Sequence, residues 1–191
     1  MSSEAGNPQP KARRGVFLDR DGVLNRTLER EGKPYPPTAL DELEILPGVP
    51  EACALLKKAG FLLVVATNQP DVGRGTLRQE VVEELNAHLC RLLPIDRVEV
   101  CYHPGGAVEC DCRKPKPGML LRAAHALGID LAQSWMVGDR WRDIDCGHQA
   151  GCRTILIDYG YTEPLRQTPD FRCRSLLEAA RLIVNQPASL A

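Results

Sequence analysis

Apolar runs of strand length alternate with segments of helical spacing through most of the chain, and three of those runs lead directly into polar clusters. The run at 16–18 is followed by Asp19-Arg20-Asp21, the run at 61–66 by Thr67-Asn68-Gln69, and the run at 135–137 by Gly138-Asp139-Arg140. Two further strand patterns fall at 98–102 and 154–157. Helical spacing covers 49–59, 80–93, 117–127, 142–150 and 176–185, with Gly60, Pro94, Gly128 and Gly151 as stops. Strands that are apolar throughout, alternating with helices, predict a parallel sheet covered on both faces. Such sheets bind ligands beyond the carboxyl ends of their strands, so the three polar clusters are expected to meet on one rim.

The fold class expected is therefore α/β, a three-layer Rossmann-like sheet. The 191 residues suit one domain with its own core. Residues 1–14, polar and rich in Ser, Pro and basic side chains, are expected to form a loose tail ahead of a single domain at 15–191. No insertion of domain size separates the motifs, so no large cap is expected. The longest loop candidates are 32–37 and 105–116.

With a formal net charge of -1 and no long basic run, the chain lacks the footprint of a nucleic-acid binder. Its apolar runs are far shorter than the roughly 20 residues of a membrane span. The N-terminus lacks the apolar stretch of a secretory signal, so a cytoplasmic protein is expected. No apolar stripe is left over once the core is assigned, and the expectation is a monomer acting on a small molecule.

Two aspartates two residues apart, on a loop leaving a buried strand, repel each other and need a proton or a cation to coexist. A hard divalent ion such as magnesium meets that need beside a phosphate ester. A solvated Asp-Gly turn would explain Asp19 and Asp21 equally well if they stood alone. The other clusters add a hydroxyl and amides at Thr67, Asn68 and Gln69, suited to phosphoryl oxygens. Lys114 adds a point charge for phosphoryl transfer, and Asp139 a second acidic metal ligand. Asp143 follows one helical turn later.

Of eight cysteines, Cys101, Cys110 and Cys112 fall within twelve residues together with His103. The pattern C-x-H, six residues, C-x-C offers three thiolates and an imidazole, which matches a closed, structural zinc site. The competing reading is free thiols near a strand end with His103 exposed. Zinc here would fix the adjoining Arg113 and Lys114 and couple metal binding to folding of the loop. Cys53, Cys90, Cys146 and Cys152 read as buried small hydrophobes.

Taken in order, Asp19-x-Asp21-Gly-Val, Thr67-Asn68, Lys114-Pro115 and Gly138-Asp139-x-x-x-Asp143 resemble the haloacid dehalogenase superfamily. The resemblance implies that Asp19 is the nucleophile and Asp21 the general acid and then base. It implies that Thr67 and Lys114 hold the phosphoryl oxygens. The Asp19 carboxylate, the Asp21 backbone carbonyl and Asp139 would bind magnesium. The stretch from Cys112 to Met119 is more specific. It resembles the D-glycero-D-manno-heptose 1,7-bisphosphate phosphatases and their histidinol-phosphate phosphatase cousins. By that resemblance Arg113 reads the second phosphate of a sugar bisphosphate, and Arg140 also reaches the substrate. The chain departs from the group in having His103 alone before Pro104, Pro70-Asp71 after Gln69, and a divergent segment at 29–37. The other readings are histidinol-phosphate hydrolysis, a phosphatase of nucleic-acid ends, and a non-catalytic zinc module.

Overall fold

The computed structural model describes residues 13–30, 33–106 and 108–186. Residues 1–12 of the expected tail lie outside the described residues. Arg13 and Arg14 are tied to the body of the protein. The Arg13 N–H donates to the Gly128 carbonyl at 3.2 Å, and the Arg14 guanidinium lies 4.3 Å from the centre of the Phe61 ring.

Six parallel strands form one sheet, in the order β5 (Arg97–Cys101), β4 (Leu62–Asn68), β1 (Gly15–Leu18), β6 (Trp135–Gly138), β7 (Arg153–Ile157) and β8 (Phe171–Cys173). Alternate residues of the central strands face different cores. Val16, Leu18, Leu63 and Val65 pack into one apolar cluster, and Phe17, Leu62, Val64 and Ala66 into the other. The first cluster is closed by α1 (Val49–Lys58), α6 (Leu176–Asn185) and Leu89 of α3 (Gln79–Leu92). The second is closed by α4 (Gly118–Leu127) and α5 (Trp141–Ala150). This is the three-layer arrangement that the apolar runs predict.

Local chemistry sets the boundaries. Helix α1 starts after Gly48, with proline in its first turn, and ends before Gly60 at φ +84°, a left-handed position that glycine takes without steric cost. Helix α6 starts at Ser175, whose hydroxyl accepts the Glu178 N–H at 3.2 Å.

Three elements differ from the sequence expectation. The segment at 32–37 is not simply a loop, because β3 (Lys33–Tyr35) pairs antiparallel with β2 (Leu28–Arg30). A two-stranded ribbon has open edges and tolerates Pro34, which a central strand would not. A single turn of helix, α2 (Pro70–Gly73), follows β4, and β8 adds an edge strand too short to leave a periodic pattern.

The chain order reverses at β1, which lies between β4 and β6. Leu18 is level with Val65 on one side and Val137 on the other. Asp19, Thr67 and Asp139 therefore lie one or two residues beyond a common level, at the carboxyl edge where such a reversal opens a crevice.

Candidate active site

Backbone contacts fix the turn that leaves β1. The Asp19 N–H donates to the Val137 carbonyl at 3.0 Å, and the Gly22 N–H donates to the Asn25 carbonyl at 2.8 Å. Gly22 sits at φ +92°, and a side chain there would run into the Asp139 carboxylate. The glycine of the Asp-x-Asp-Gly motif thus serves both the turn and the close approach of Asp139.

Oxygen atoms of Asp19, Asp139 and Asp143 all lie within 4.8 Å of one another. One cation is buried among them. Lys114 Nζ is 2.8 Å from Asp19 and 2.6 Å from Asp143. Burial alone would lower the Lys114 pKa, but Asp143 and Asp19 override it and hold the ammonium well above its ordinary value. Burial pushes the Asp19 carboxyl up to about 7, opposed by Lys114 and reinforced by Asp143 and Asp21. Burial also raises Asp139 well above the usual carboxylate range, with the charges of Asp19 and Asp143 adding to it.

Three acids facing one ammonium leave this cluster short of positive charge. Among the described residues the buried Asp139 Oδ1 has no hydrogen-bond partner, which suits an atom placed to hold a cation. An all-oxygen donor set with excess negative charge fits a hard divalent cation. Asp19 and Asp139 were expected ligands from the sequence. Asp143 joins them in space, is the third residue of α5, and also accepts the Arg140 N–H at 3.0 Å.

The Asp21 carboxylate turns away from that cluster. It accepts Gln69 Nε2 at 2.8 Å and Asn25 Nδ2 at 3.0 Å, and pairs with the Arg20 guanidinium at 3.1 Å. Arg20 is fully buried and also donates to Asn86 at 3.0 Å. The sequence showed Arg20 between the two aspartates but not that it folds inward to hold one of them. Thr67 lines the cleft and accepts Gln69 Nε2 at 2.9 Å. Gln69 itself is buried behind Thr67 and Asp21. Asn68 lines the cleft, and its amide is engaged with both backbone ends of Lys114. Arg113 and Arg140 also line the cleft, which has a volume of about 270 Å³. Arg140 is fixed by Glu163 at 2.7 Å and by the Tyr161 ring at 5.2 Å.

Several lining residues were not singled out from the sequence: Thr27, Arg74 and Arg142. Arg142 lies on α5, Arg74 just after α2 and Thr27 in the turn before β2, and none carries a local mark of its direction, so only the fold reveals that they line the site. The extra carboxylate expected at the mouth, Asp71, does line the cleft and is paired with Arg74 at 3.2 Å.

The cysteine cluster lies between β5 and α4. Cys101 Sγ is 3.1 Å from Cys112 Sγ and 3.9 Å from Cys110 Sγ, and His103 Nδ1 is 3.5 Å from Cys101 and 3.2 Å from Cys112. Burial, together with the hydrogen bond it shares with Cys112, pushes the Cys101 thiol up to about 12. Four soft or borderline ligands at mutual distances of this size can surround one tetrahedral ion such as zinc. Cys53, Cys146 and Cys152 are buried as expected. Cys90 is not: it lies on the outer face of α3 and is exposed, because the helix turns that position away from the sheet.

Comparison with known proteins gives this geometry a family. The HAD-hydrolase-like family model matches residues 111–179. The D-glycero-beta-D-manno-heptose-1,7-bisphosphate 7-phosphatase of Escherichia coli K12 is 37% identical over 185 residues, covering 90% of this chain and 94% of the relative. The chain belongs to this phosphatase family. Its relative of the same name in Pseudomonas aeruginosa is 39% identical over 149 residues, or 76% of this chain and 81% of the relative. A crystal structure of D,D-heptose 1,7-bisphosphate phosphatase from B. bronchiseptica, complexed with magnesium and phosphate, superposes with a TM-score of 0.74 at 30% identity. It covers 90% of this chain and 98% of its own.

The cleft of this heptose bisphosphate phosphatase family member thus brings the Asp19, Asp139 and Asp143 carboxylates to one buried ammonium, with the Asp21 carboxylate held at its wall by Gln69, Asn25 and Arg20. Among the described residues, no helix is long and apolar enough to cross a membrane.

Proposed function

We propose that the chain removes the 7-phosphate of D-glycero-beta-D-manno-heptose 1,7-bisphosphate, with Asp19 as nucleophile. The observation that carries this reading is the convergence of Asp19, Lys114, Asp139 and Asp143 in one cleft, with the Asp21 carboxylate held alongside by Gln69 and Asn25. Asp19 attacks phosphorus, forming an oxygen–phosphorus bond while the ester bond to the sugar oxygen breaks. Asp21 delivers a proton to the departing oxygen. Water then attacks phosphorus, Asp21 takes its proton, and the bond to Asp19 breaks to free phosphate. Lys114 and Thr67 hold the oxygens of the transferred group, where fixed positive charge is most effective.

Magnesium, named with the B. bronchiseptica relative, suits the Asp19 and Asp139 carboxylates with the Asp21 carbonyl, and when bound it would add positive charge beside the transferred phosphoryl group. Zinc held by Cys101, His103, Cys110 and Cys112 would fix the loop that carries Arg113 and Lys114. Free thiols in the ligand set suit a reducing compartment and support a cytoplasmic location. We read residues 15–191 as one catalytic domain. Asn68 and Gln69 support the site through Lys114, Asp21 and Thr67, and Arg113 and Arg140 meet the substrate from the cleft wall.

The test is phosphate release in the presence of magnesium from heptose 1,7-bisphosphate, histidinol phosphate and a 3′-phosphorylated oligonucleotide. The reading expects clear preference for the bisphosphate and loss of turnover in Asp19→Asn with the fold intact. Preference for histidinol phosphate would overturn the substrate, and release from none of the three would favour a zinc module.

A further inference from the structure

Between β7 and β8 the chain runs without helix or strand through residues 158–163. Asp158 fixes the start of this segment: its carboxylate accepts the Gly160 N–H at 2.9 Å and the Arg172 guanidinium at 2.7 Å. Glu163 fixes its end on the start of α5, accepting the Arg140 guanidinium at 2.7 Å and the Trp141 indole N–H at 2.6 Å. From the middle, Tyr159 reaches across to the turn that follows β1, where its hydroxyl donates to the Gly22 carbonyl at 2.9 Å. Tyr159 is 45% exposed, so core packing does not set its direction. The hydrogen bond does, together with the Tyr161 ring 5.7 Å away, which in turn carries the Arg140 guanidinium at 5.2 Å.

Gly22 is held from several sides. Its N–H is taken up inside the turn by the Asn25 carbonyl at 2.8 Å, its carbonyl is taken by Tyr159, and the Asp139 carboxylate fills the space where a side chain would stand. Asp19 and Asp21 ride on this turn, whereas Asp139 follows β6. Asp139 borders both the cleft and a second space of about 50 Å³, which Arg140, Tyr159, Tyr161 and Glu163 also line. Its charge, second to burial, raises the pKa of both phenols, so it lies within electrostatic reach of them. The segment thus closes around Asp139 and ties down the neighbouring turn. Without a cation the acids of this site repel one another and favour a turn that relaxes outward. A site whose ligands must first be drawn together binds more weakly than one already assembled.

We propose that Tyr159 is a positioning residue for the divalent cation: its hydrogen bond to the Gly22 carbonyl clamps the Asp19–Gly22 turn against Asp139, so that acids following β1 and β6 stand at binding distance before the ion arrives. This rests on the reading of a cation at Asp19 and Asp139 and deepens it. Tyr161 steers the Tyr159 ring, and Glu163 fixes the segment to α5. Tyr159 acts through Gly22 and touches no reacting atom.

The experiment is a calorimetric titration of magnesium into wild type and Tyr159→Phe, both purified without chelator and freed of magnesium by gel filtration. Phenylalanine keeps the ring and removes only the donor. The Kd for magnesium should rise about twofold to tenfold, the scale of one lost hydrogen bond. Phosphate release at low magnesium should fall by a similar factor, and saturating magnesium should restore most of it. The magnesium-free melting temperature should stay near that of wild type. A hydroxyl with a merely structural role would lower that melt and leave the magnesium Kd in place. A Kd that stays within twofold of wild type would overturn the clamp alone. Wild type that takes up no magnesium would overturn the cation reading and the clamp together.

Discussion

The Asn68 side chain holds both ends of the Lys114 backbone: its Nδ2 donates to the Lys114 carbonyl at 3.1 Å, and its Oδ1 accepts the Lys114 N–H at 3.0 Å. The two residues are 46 apart in sequence, and this pair fixes the buried ammonium to the end of β4. Asn68→Ala removes both bonds and leaves buried backbone groups unpaired, at a cost of about 1–3 kcal/mol. We expect kcat/KM to fall about tenfold to a hundredfold through misplacement of Lys114. Steady-state kinetics and denaturant unfolding of the same variant check both figures.

Lys114→Met removes the only ammonium paired with Asp19 and Asp143 among the described residues. Breaking a buried ion pair by removing one partner costs about 3–5 kcal/mol. The variant without divalent ions should therefore melt at a much lower temperature than wild type, and magnesium should recover part of the difference. Turnover should fall on the order of 10²–10³-fold, because Lys114 stabilises charge that develops on the phosphoryl oxygens. Calorimetry with and without magnesium, beside a phosphate-release assay, measures both.

In the folded protein Asp19 keeps its proton up to about pH 7, whereas its ordinary value is 3.8. Between those values the folded state binds more protons than the unfolded state, so this group contributes stability at low pH and loses it as pH rises through about 7. Asp139 is raised in the same direction. The metal-free protein should become more stable as pH falls from 7.5 toward 5.5. Saturating magnesium should flatten this trend, since a bound cation replaces the protons. For the same reason the apparent magnesium affinity should rise with pH across this window. Melting temperatures in chelator and in magnesium, taken across the pH range, are the check.

Cys112→Ser removes a buried ligand of the thiol and imidazole cluster. Its zinc content by elemental analysis should drop from near one per chain in wild type to near zero, and the segment between β5 and α4 should become the first site of limited proteolysis. Because Arg113 and Lys114 directly follow this ligand, kcat/KM should fall about tenfold or more. Full zinc content in the variant would remove Cys112 from the ligand set.

What the sequence could reveal follows from how local each signal is. The buried strands announce themselves because every residue of β1 and the first five of β4 are buried and apolar, so no polar residue interrupts them. The rim clusters were legible because each follows such a strand directly. Side-chain direction was not. Asn68 and Gln69 read as donors to phosphate, yet their amides turn to Lys114 and Asp21, partners fixed by contacts 46 and 48 residues away. Asp143 was visible one turn after Asp139, but its approach to Lys114 depends on the long loop before α4. Glu163 lies in an irregular segment with no periodicity, and only the fold shows it beside Arg140 and Trp141.

The central claim is that phosphate passes through Asp19. The most direct measurement is rapid acid quench of the Asp21→Asn enzyme turning over p-nitrophenyl phosphate with magnesium, followed by peptide mapping. This leaving group needs no proton, so the first step should proceed while release by water is slowed. The account predicts a burst of nitrophenolate with a phosphoryl group on the Asp19 peptide that hydroxylamine removes. A burst with the phosphoryl group on any other residue, or steady turnover with no phosphorylated peptide in this variant, would contradict it.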